Sequence, residues 1–155
     1  MGEPEIAIRW SRGPEDVRGA FALRERVFHG EQGVPLEEEL DGRDEHALHL
    51  VALDPDGREV IGTLRLLLDK DSAKVGRVAV RREWRRRGIA LRMLELALGG
   101  ARERGCAKVR LAAQLEAVAL YEQAGFAVES EPFEEAGIQH VWMGQRLAQS
   151  DPADG

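Results

Sequence analysis

Five arginines crowd residues 81–87, RREWRRR, and Gly88 then opens an apolar run with helical spacing. A solvated loop, a nucleic-acid patch or an anion-binding helix start would each concentrate positive charge in this way. The glycine favours the third, because a strand that runs into a glycine-opened helix aims free backbone N–H groups and the positive end of the helix dipole at one point. Arg85, Arg86 and Arg87, directly before Gly88, Ile89 and Ala90, could then surround a pyrophosphate that the small residues allow to approach. Other phosphate motifs fit poorly. The chain has no Gly-x-Gly, and GREVIGT at residues 57–63 carries Thr63 where a phosphate-loop lysine would stand. Proton transfer has fewer candidates. Tyr121 lies in a helical pattern where a tyrosine is more often core than catalyst, and His49 and His140 lie in strand-like runs where a histidine is more often structural than basic. His46 and His49, with Asp44 close by, lack a clear third ligand, and Cys106 is the sole cysteine, so neither a metal site nor an internal disulfide is expected.

These side chains need a scaffold, and the apolar periodicity supplies one. Ile6, Ile8 and Trp10 alternate with Ala7 and Arg9 as a first strand with one buried face. RGPEDVRGAFALRERVFHG predicts a helix with Pro14 at its start, Glu15 and Asp16 in the first turn, Val17, Ala20, Phe21 and Phe28 at helical spacing, and a stop at Gly30. EQGVPLEEELDGRDEH reads as a long acidic loop with one short helix at most. ALHLVAL and REVIGTLRLLL flank the turn DPDG as a hairpin. KVGRVAV follows as a strand whose end, Val78-Ala79-Val80, predicts burial on both faces near the middle of a sheet. GIALRMLELALGGARERG predicts a helix with Ala90, Met93, Leu94, Ala97 and Ala101 along one stripe, weakened inside by Gly99 and Gly100. AKVRLAA is a strand, QLEAVALYEQAG a short helix ended by Gly125, and FAVESE and IQHVWMGQRL the last strands. Such an order fits a mixed α/β sheet with helices on its faces. Residues 1–147 are expected as a single domain and 148–155 as a disordered tail.

At 155 residues, 43% hydrophobic and 32% charged, the chain suits one packed globular unit, and no apolar run approaches the ~20 residues that span a bilayer. Its start has no basic segment followed by an apolar one, so a cytoplasmic location without a membrane partner is expected. A net charge of −6 argues against general nucleic-acid binding, which comes from many exposed Lys and Arg releasing counterions. The arginine cluster is then a local feature.

VAVRREWRRRGIAL resembles the acyl-CoA signature of the GNAT superfamily of N-acetyltransferases, Arg/Gln-x-x-Gly-x-Gly/Ala after a central strand, matched by Arg85, Gly88 and Ala90. ALYEQAGF at residues 119–126 resembles the helix that carries the superfamily's usual tyrosine, and the order of elements is similar as well. LRERVFHGEQGVPLEEELDGRDEHALHLVAL, AAQ and PFEEAGIQHVWM resemble the ElaA-like subgroup along almost the whole chain. The resemblance implies an α/β fold with a mixed, mostly antiparallel central sheet, a splayed parallel strand pair and helices on both faces. It implies acetyl-CoA as acyl donor with no metal, and transfer of the acetyl group to a primary amine by direct attack on the thioester.

The residues carried over follow the motifs. The cofactor arm would pair with the backbone of Val78, Ala79 and Val80, the pyrophosphate would lie on Arg85, Arg86, Arg87, Gly88, Ile89 and Ala90, and Gln114 would add a further contact. The Val80 N–H becomes the oxyanion donor and Tyr121 the general acid. Glu31 ranks first as base, with His140, His49 or an ordered water as alternatives, and Glu31, Gln32 and His140 fall on the acceptor side. The run Glu37, Glu38, Glu39, Asp41, Asp44 and Glu45 reads as a solvated loop; were it to line the cleft, its field would favour a cationic acceptor. The partner would be a small-molecule or peptide amine, and a homodimer through the final strands, Phe126 to Leu147, stays open. Two other readings compete: a non-catalytic acyl-CoA-binding sensor that shares the cradle, and a nucleic-acid module built on the arginines and Trp84. The second is poor, because single-strand binders interleave several aromatics with their basic residues.

Overall fold

The computed structural model describes residues 5–148, so the expected tail lies, beyond Ala148, outside the described residues. Strand β1 (Ala7–Trp10) leads into helix α1 (Pro14–Arg24), which runs on as π-helical turns over Glu25–Glu31. There the Gln32 N–H reaches back five residues to the Val27 carbonyl at 3.1 Å. The helix therefore passes the expected stop at Gly30, and its period changes before it ends. The acidic segment holds the short helix α2 (Leu36–Glu39) and a 3-10 turn at Asp44–His46. The hairpin is β2 (Leu48–Leu53) and β3 (Val60–Asp69), followed by β4 (Ser72–Val80), helix α3 (Ile89–Glu103), β5 (Lys108–Gln114), helix α4 (Val118–Gln123), β6 (Ala127–Val128), β7 (Phe133–Glu135) and β8 (Ile138–Arg146). The sequence pattern did not mark β7, which has only three residues and pairs with β8 alone.

The strands form a sheet in the order β1-β2-β3-β4-β5-β8-β6, with β7 also on β8, and every pairing is antiparallel except β4 with β5. On one side α3 and α4 cover the sheet, where Met93, Leu94 and Ala97 pack with Leu111, Val141 and Met143. On the other side Leu23 and Val27 of the first helix pack on Ala79 of β4. Gly100, which weakens α3 as an isolated helix, has a packing reason. A Cβ there would lie 2.6 Å from the Trp10 ring, so the glycine lets the helix close onto β1.

The acidic segment departs most from expectation. Arg24, 1% exposed, binds Glu39 at 2.6 Å and reaches both carboxylate oxygens of Asp44 at 2.8 and 3.0 Å. Arg65 pairs with Asp41 and Asp44, and Arg77 hydrogen-bonds the Glu39 carbonyl at 3.0 Å and faces the Asp41 carboxylate at 3.4 Å. The three inward carboxylates are thus matched by three arginines from α1, β3 and β4. Glu39, Asp41 and Asp44 are neither a solvated loop nor a free negative field, because their charge is neutralised where the loop meets the sheet.

Candidate active site

β4 and β5 pair only at Ser72–Lys108, Ala73–Val109 and Lys74–Arg110; beyond Lys74 the two strands part. The cause lies within β4. Its register against β3 shifts between Thr63 and Arg65, and Arg77 takes a left-handed conformation (φ 53°), which turns the end of the strand away from its parallel neighbour. Past the shift, Arg81 N–H bonds the Ile61 carbonyl at 2.8 Å. In the alternating pattern of an antiparallel pair, that bond turns the N–H and C=O of Val80 away from β3, into the gap that β5 has left. The strand end is consequently not sealed on both faces as its sequence suggests. Ala79 is buried, while Val78 and Val80 are half-buried because no strand covers them there.

The arginine segment closes one end of this gap. Residues 82–84 make a 3-10 turn, Arg86 (φ 63°) and Gly88 (φ 80°) are left-handed, and α3 begins at Ile89. The first bond of its ladder runs from Arg92 N–H to Gly88 O at 3.1 Å, so the N–H groups of Ile89, Ala90 and Leu91 precede any intrahelical acceptor. The first turn of α3 contains no acidic residue, and a Cβ built on Gly88 would meet nothing within 4 Å. The mouth is therefore open and its dipole uncompensated. Arg85 donates from Nε to the Val80 carbonyl at 2.8 Å and from its terminal nitrogen to Glu31 at 2.9 and 3.0 Å, with Arg82 also near Glu31 at 3.6 Å. Arg81 binds Glu59, and Arg87 lies over the Trp84 ring at 4.7 Å.

The end of the first helix touches the other side of the gap too. Gln32 and Gln114 exchange side-chain amide hydrogen bonds at 2.9 and 3.3 Å, and Gln114 stands directly opposite His140 on β8. His140 is buried and donates from Nδ1 to the Ile138 carbonyl at 2.7 Å, which leaves Nε2 of the neutral ring as an acceptor. Glu31, Gln32, Gln114 and His140, chosen separately from the sequence, thus belong to one neighbourhood. His49 does not join them. It is buried on β2, bonded through Nε2 to the Asp44 carbonyl at 3.0 Å and edge-on to Phe21. Tyr121 is buried on α4, edge-to-face with Phe126, and burial pushes its phenol up to about 12. No cluster of three metal-binding side chains occurs among the described residues.

Sequence reasoning missed the arginine-carboxylate network and the aromatic row of Phe133, His140 and Trp142. An available signal for the first was Arg65 inside the apolar run TLRLLL, since a buried arginine requires carboxylate partners. For the second it was the alternation of His140 and Trp142 on one face of a strand.

Comparison with known proteins agrees with this geometry. The family model for the acetyltransferase (GNAT) domain matches residues 16–147. The uncharacterised N-acetyltransferase YjcF of Bacillus subtilis is 33% identical over 134 residues, covering 86% of this chain and 94% of its own. A crystal structure of a candidate N-acetyltransferase from Lactobacillus plantarum superposes with a TM-score of 0.83 at 32% identity, over 92% of this chain and 99% of the other. Escherichia coli ElaA shares the fold, with a TM-score of 0.78 at 24% identity over 90% and 99%. The chain, with its parted parallel strands and glycine-opened helix, belongs to the GNAT family of acetyltransferases.

Proposed function

We propose that the protein is an acetyl-CoA-dependent N-acetyltransferase that acetylates the primary amine of a small-molecule or peptide acceptor, with residues 1–147 acting as one catalytic domain in the cytoplasm, where acetyl-CoA is available. The observation that carries this reading is the break in β4–β5 pairing after Lys74, which exposes strand backbone directly before a dipole-bearing helix start. An elongated ligand with amides at one end and a pyrophosphate at the other suits both features. Val78 and Val80 would hold the amides. Arg85, Arg86 and Arg87, with the N–H groups of Gly88, Ile89 and Ala90, would hold the diphosphate, and Gln114 would line the far wall.

When bound, acetyl-CoA supplies an acetyl group activated as a thioester. The Val80 N–H, turned into the gap, would be the donor placed to hold the thioester carbonyl oxygen. Tyr121, whose phenol burial keeps protonated near neutral pH, would be the proton donor for a leaving thiolate. The role of base passes from Glu31 to His140. Both Glu31 oxygens are engaged by guanidinium groups, whereas the Nδ1 bond of His140 leaves Nε2, with the Glu135 carboxylate 4.0 Å away, as the ring's proton acceptor. Turnover should therefore fall about 10²-fold or more in His140→Gln and change little in Glu31→Gln; the opposite order would return the role to Glu31.

Thermal unfolding tests the cofactor. At 100 times its Kd, acetyl-CoA should stabilise by ~2.7 kcal/mol, a rise of roughly 5 to 10 °C. Gly88→Glu, which puts an anion in the cradle mouth, should abolish the rise while Gly88→Ala retains part of it. An unchanged melting temperature in the unsubstituted protein would remove the acetyl-CoA reading, and an equal rise in Gly88→Glu would remove the cradle assignment.

A further inference from the structure

Lys74 and Arg110 are the last paired residues before β4 and β5 part, so they stand at the floor of the gap. Both lie over the Trp142 ring, with Lys74 Nζ at 5.1 Å and the Arg110 guanidinium at 4.6 Å from its centre. Trp142 stacks on Phe133 at 5.6 Å, and Phe133 stacks on His140 at 5.9 Å. Cations at the floor, an aromatic stretch and the proposed base therefore form one continuous row. It lies on the sheet face opposite the main core, since Val141 and Met143, which alternate with His140 and Trp142, point into that core.

The row carries two cations, Lys74 and Arg110, and its carboxylates are only loosely placed, Glu135 4.0 Å from His140 Nε2 and Glu129 3.8 Å from Arg110. Glu39, Asp41 and Asp44 are already taken by Arg24, Arg65 and Arg77. Lys74 has no ion pair within 4 Å among the described residues. Burial pushes its ammonium down, Glu135 pulls it back, and Arg43, Arg65 and Arg77 add to the depression. Arg110 has one carboxylate at 3.8 Å, Glu129, which lies closer to Lys108 at 3.2 Å. A half-buried ammonium without an ion pair, beside an exposed and loosely paired guanidinium, is a favourable partner for an incoming anion.

We propose that the acceptor is an amine that also carries a carboxylate, an amino acid or aminocarboxylate with an apolar body, whose carboxylate binds Lys74 and Arg110 while its amine lies towards His140. The inference rests on the acyltransferase reading and makes Lys74 a specificity residue. It differs from the cationic acceptor that the acidic run would favour were it to line the cleft, because the inward charges of that run are spent. The transfer keeps its balance: the amine N–C bond forms as the C–S bond breaks, the amine proton goes to His140 Nε2, and the departing thiolate takes a proton from Tyr121.

Titration calorimetry with two product-like probes tests the proposal without turnover. N-acetyl-L-phenylalanine and N-acetylphenethylamine share one body and differ by the carboxylate. The first should bind at least tenfold more tightly, and Lys74→Met, whose side chain can still pack on Trp142, should erase that preference. The acetyl-CoA thermal shift of Lys74→Met should match that of the parent, which shows an intact fold and cradle. Equal binding of the two probes, no binding of either at millimolar concentration, or a preference that survives Lys74→Met would overturn the proposal. A carboxylate preference in a protein that acetyl-CoA does not stabilise would leave this site standing and remove the acyltransferase reading instead.

Discussion

Gln32 and Gln114, 82 residues apart in the chain, bind each other through side-chain amide and carbonyl in both directions and so join the end of the first helix to the end of β5. Glu31, the neighbouring residue, binds Arg85 on the β4 side. The π-helical end of the first helix is thereby fastened to both walls of the gap.

The first prediction concerns that fastening. Gln32→Ala and Gln114→Ala should each cost about 1 kcal/mol of stability, and the double substitution should cost less than their sum because each single variant already breaks the pair. A double-mutant cycle by denaturant unfolding measures the coupling. Strict additivity within about 0.3 kcal/mol would show that the amides do not support each other. The acceptor KM should rise in Gln32→Ala while the acetyl-CoA thermal shift is kept, since Arg85 and its cradle are untouched.

The second prediction concerns the buried ions. Removing Arg24 leaves Glu39 and Asp44 without their main counter-ion in a buried place, and Arg24→Met should cost about 3 to 5 kcal/mol. The pH dependence has a definite sign. Burial works against ionised Asp44, but the hydrogen bonds and charges of Arg24 and Arg65 outweigh it, and the Arg65 bond holds Asp41 below the usual carboxylate range. Carboxylates depressed in this way stabilise the fold fully above about pH 4 and progressively less as the pH falls towards their folded values. Unfolding free energies at pH 7 and pH 3 should differ more in the parent than in Arg24→Met. An equal difference in both would place the acid sensitivity elsewhere.

The contrast between this network and the cradle explains what could be read from the sequence. The cradle, the order of elements and the tyrosine helix are built by neighbours in the chain. A strand, a glycine and an apolar stripe follow within some 25 residues, and each leaves a periodic or compositional mark. The segment from Glu31 to His46 is built by residues far apart, with Arg24 meeting Glu39, Arg65 meeting Asp41 and Arg77 meeting the Glu39 carbonyl. Its acidic composition alone suggests solvation, because the matching arginines lie elsewhere in the sequence. The same holds for Glu31. Its position after the helix suggested a base, and only the approach of Arg85, 54 residues away, assigns its carboxylate to an ion pair.

The third prediction uses Tyr121 to separate chemistry from packing. Tyr121→Phe keeps the ring against Phe126 and removes only the hydroxyl, so stability near neutral pH should change by less than about 1 kcal/mol. Turnover should fall by about 10² or more if the hydroxyl delivers the proton to the leaving sulfur, and should be unchanged if the tyrosine serves the core alone. Alkaline unfolding checks the burial independently. With a folded pKa of about 12 against about 10 for an exposed phenol, the folded state holds the proton more tightly. That contribution is complete below pH 10 and is lost as the pH rises through 12, amounting to about 2 to 3 kcal/mol for two pKa units. Tyr121→Phe should lack this part of the alkaline loss. If parent and variant lose stability in parallel between pH 9 and pH 11, the phenol titrates in the folded protein at its ordinary value, and it would no longer be a proton donor kept neutral by burial.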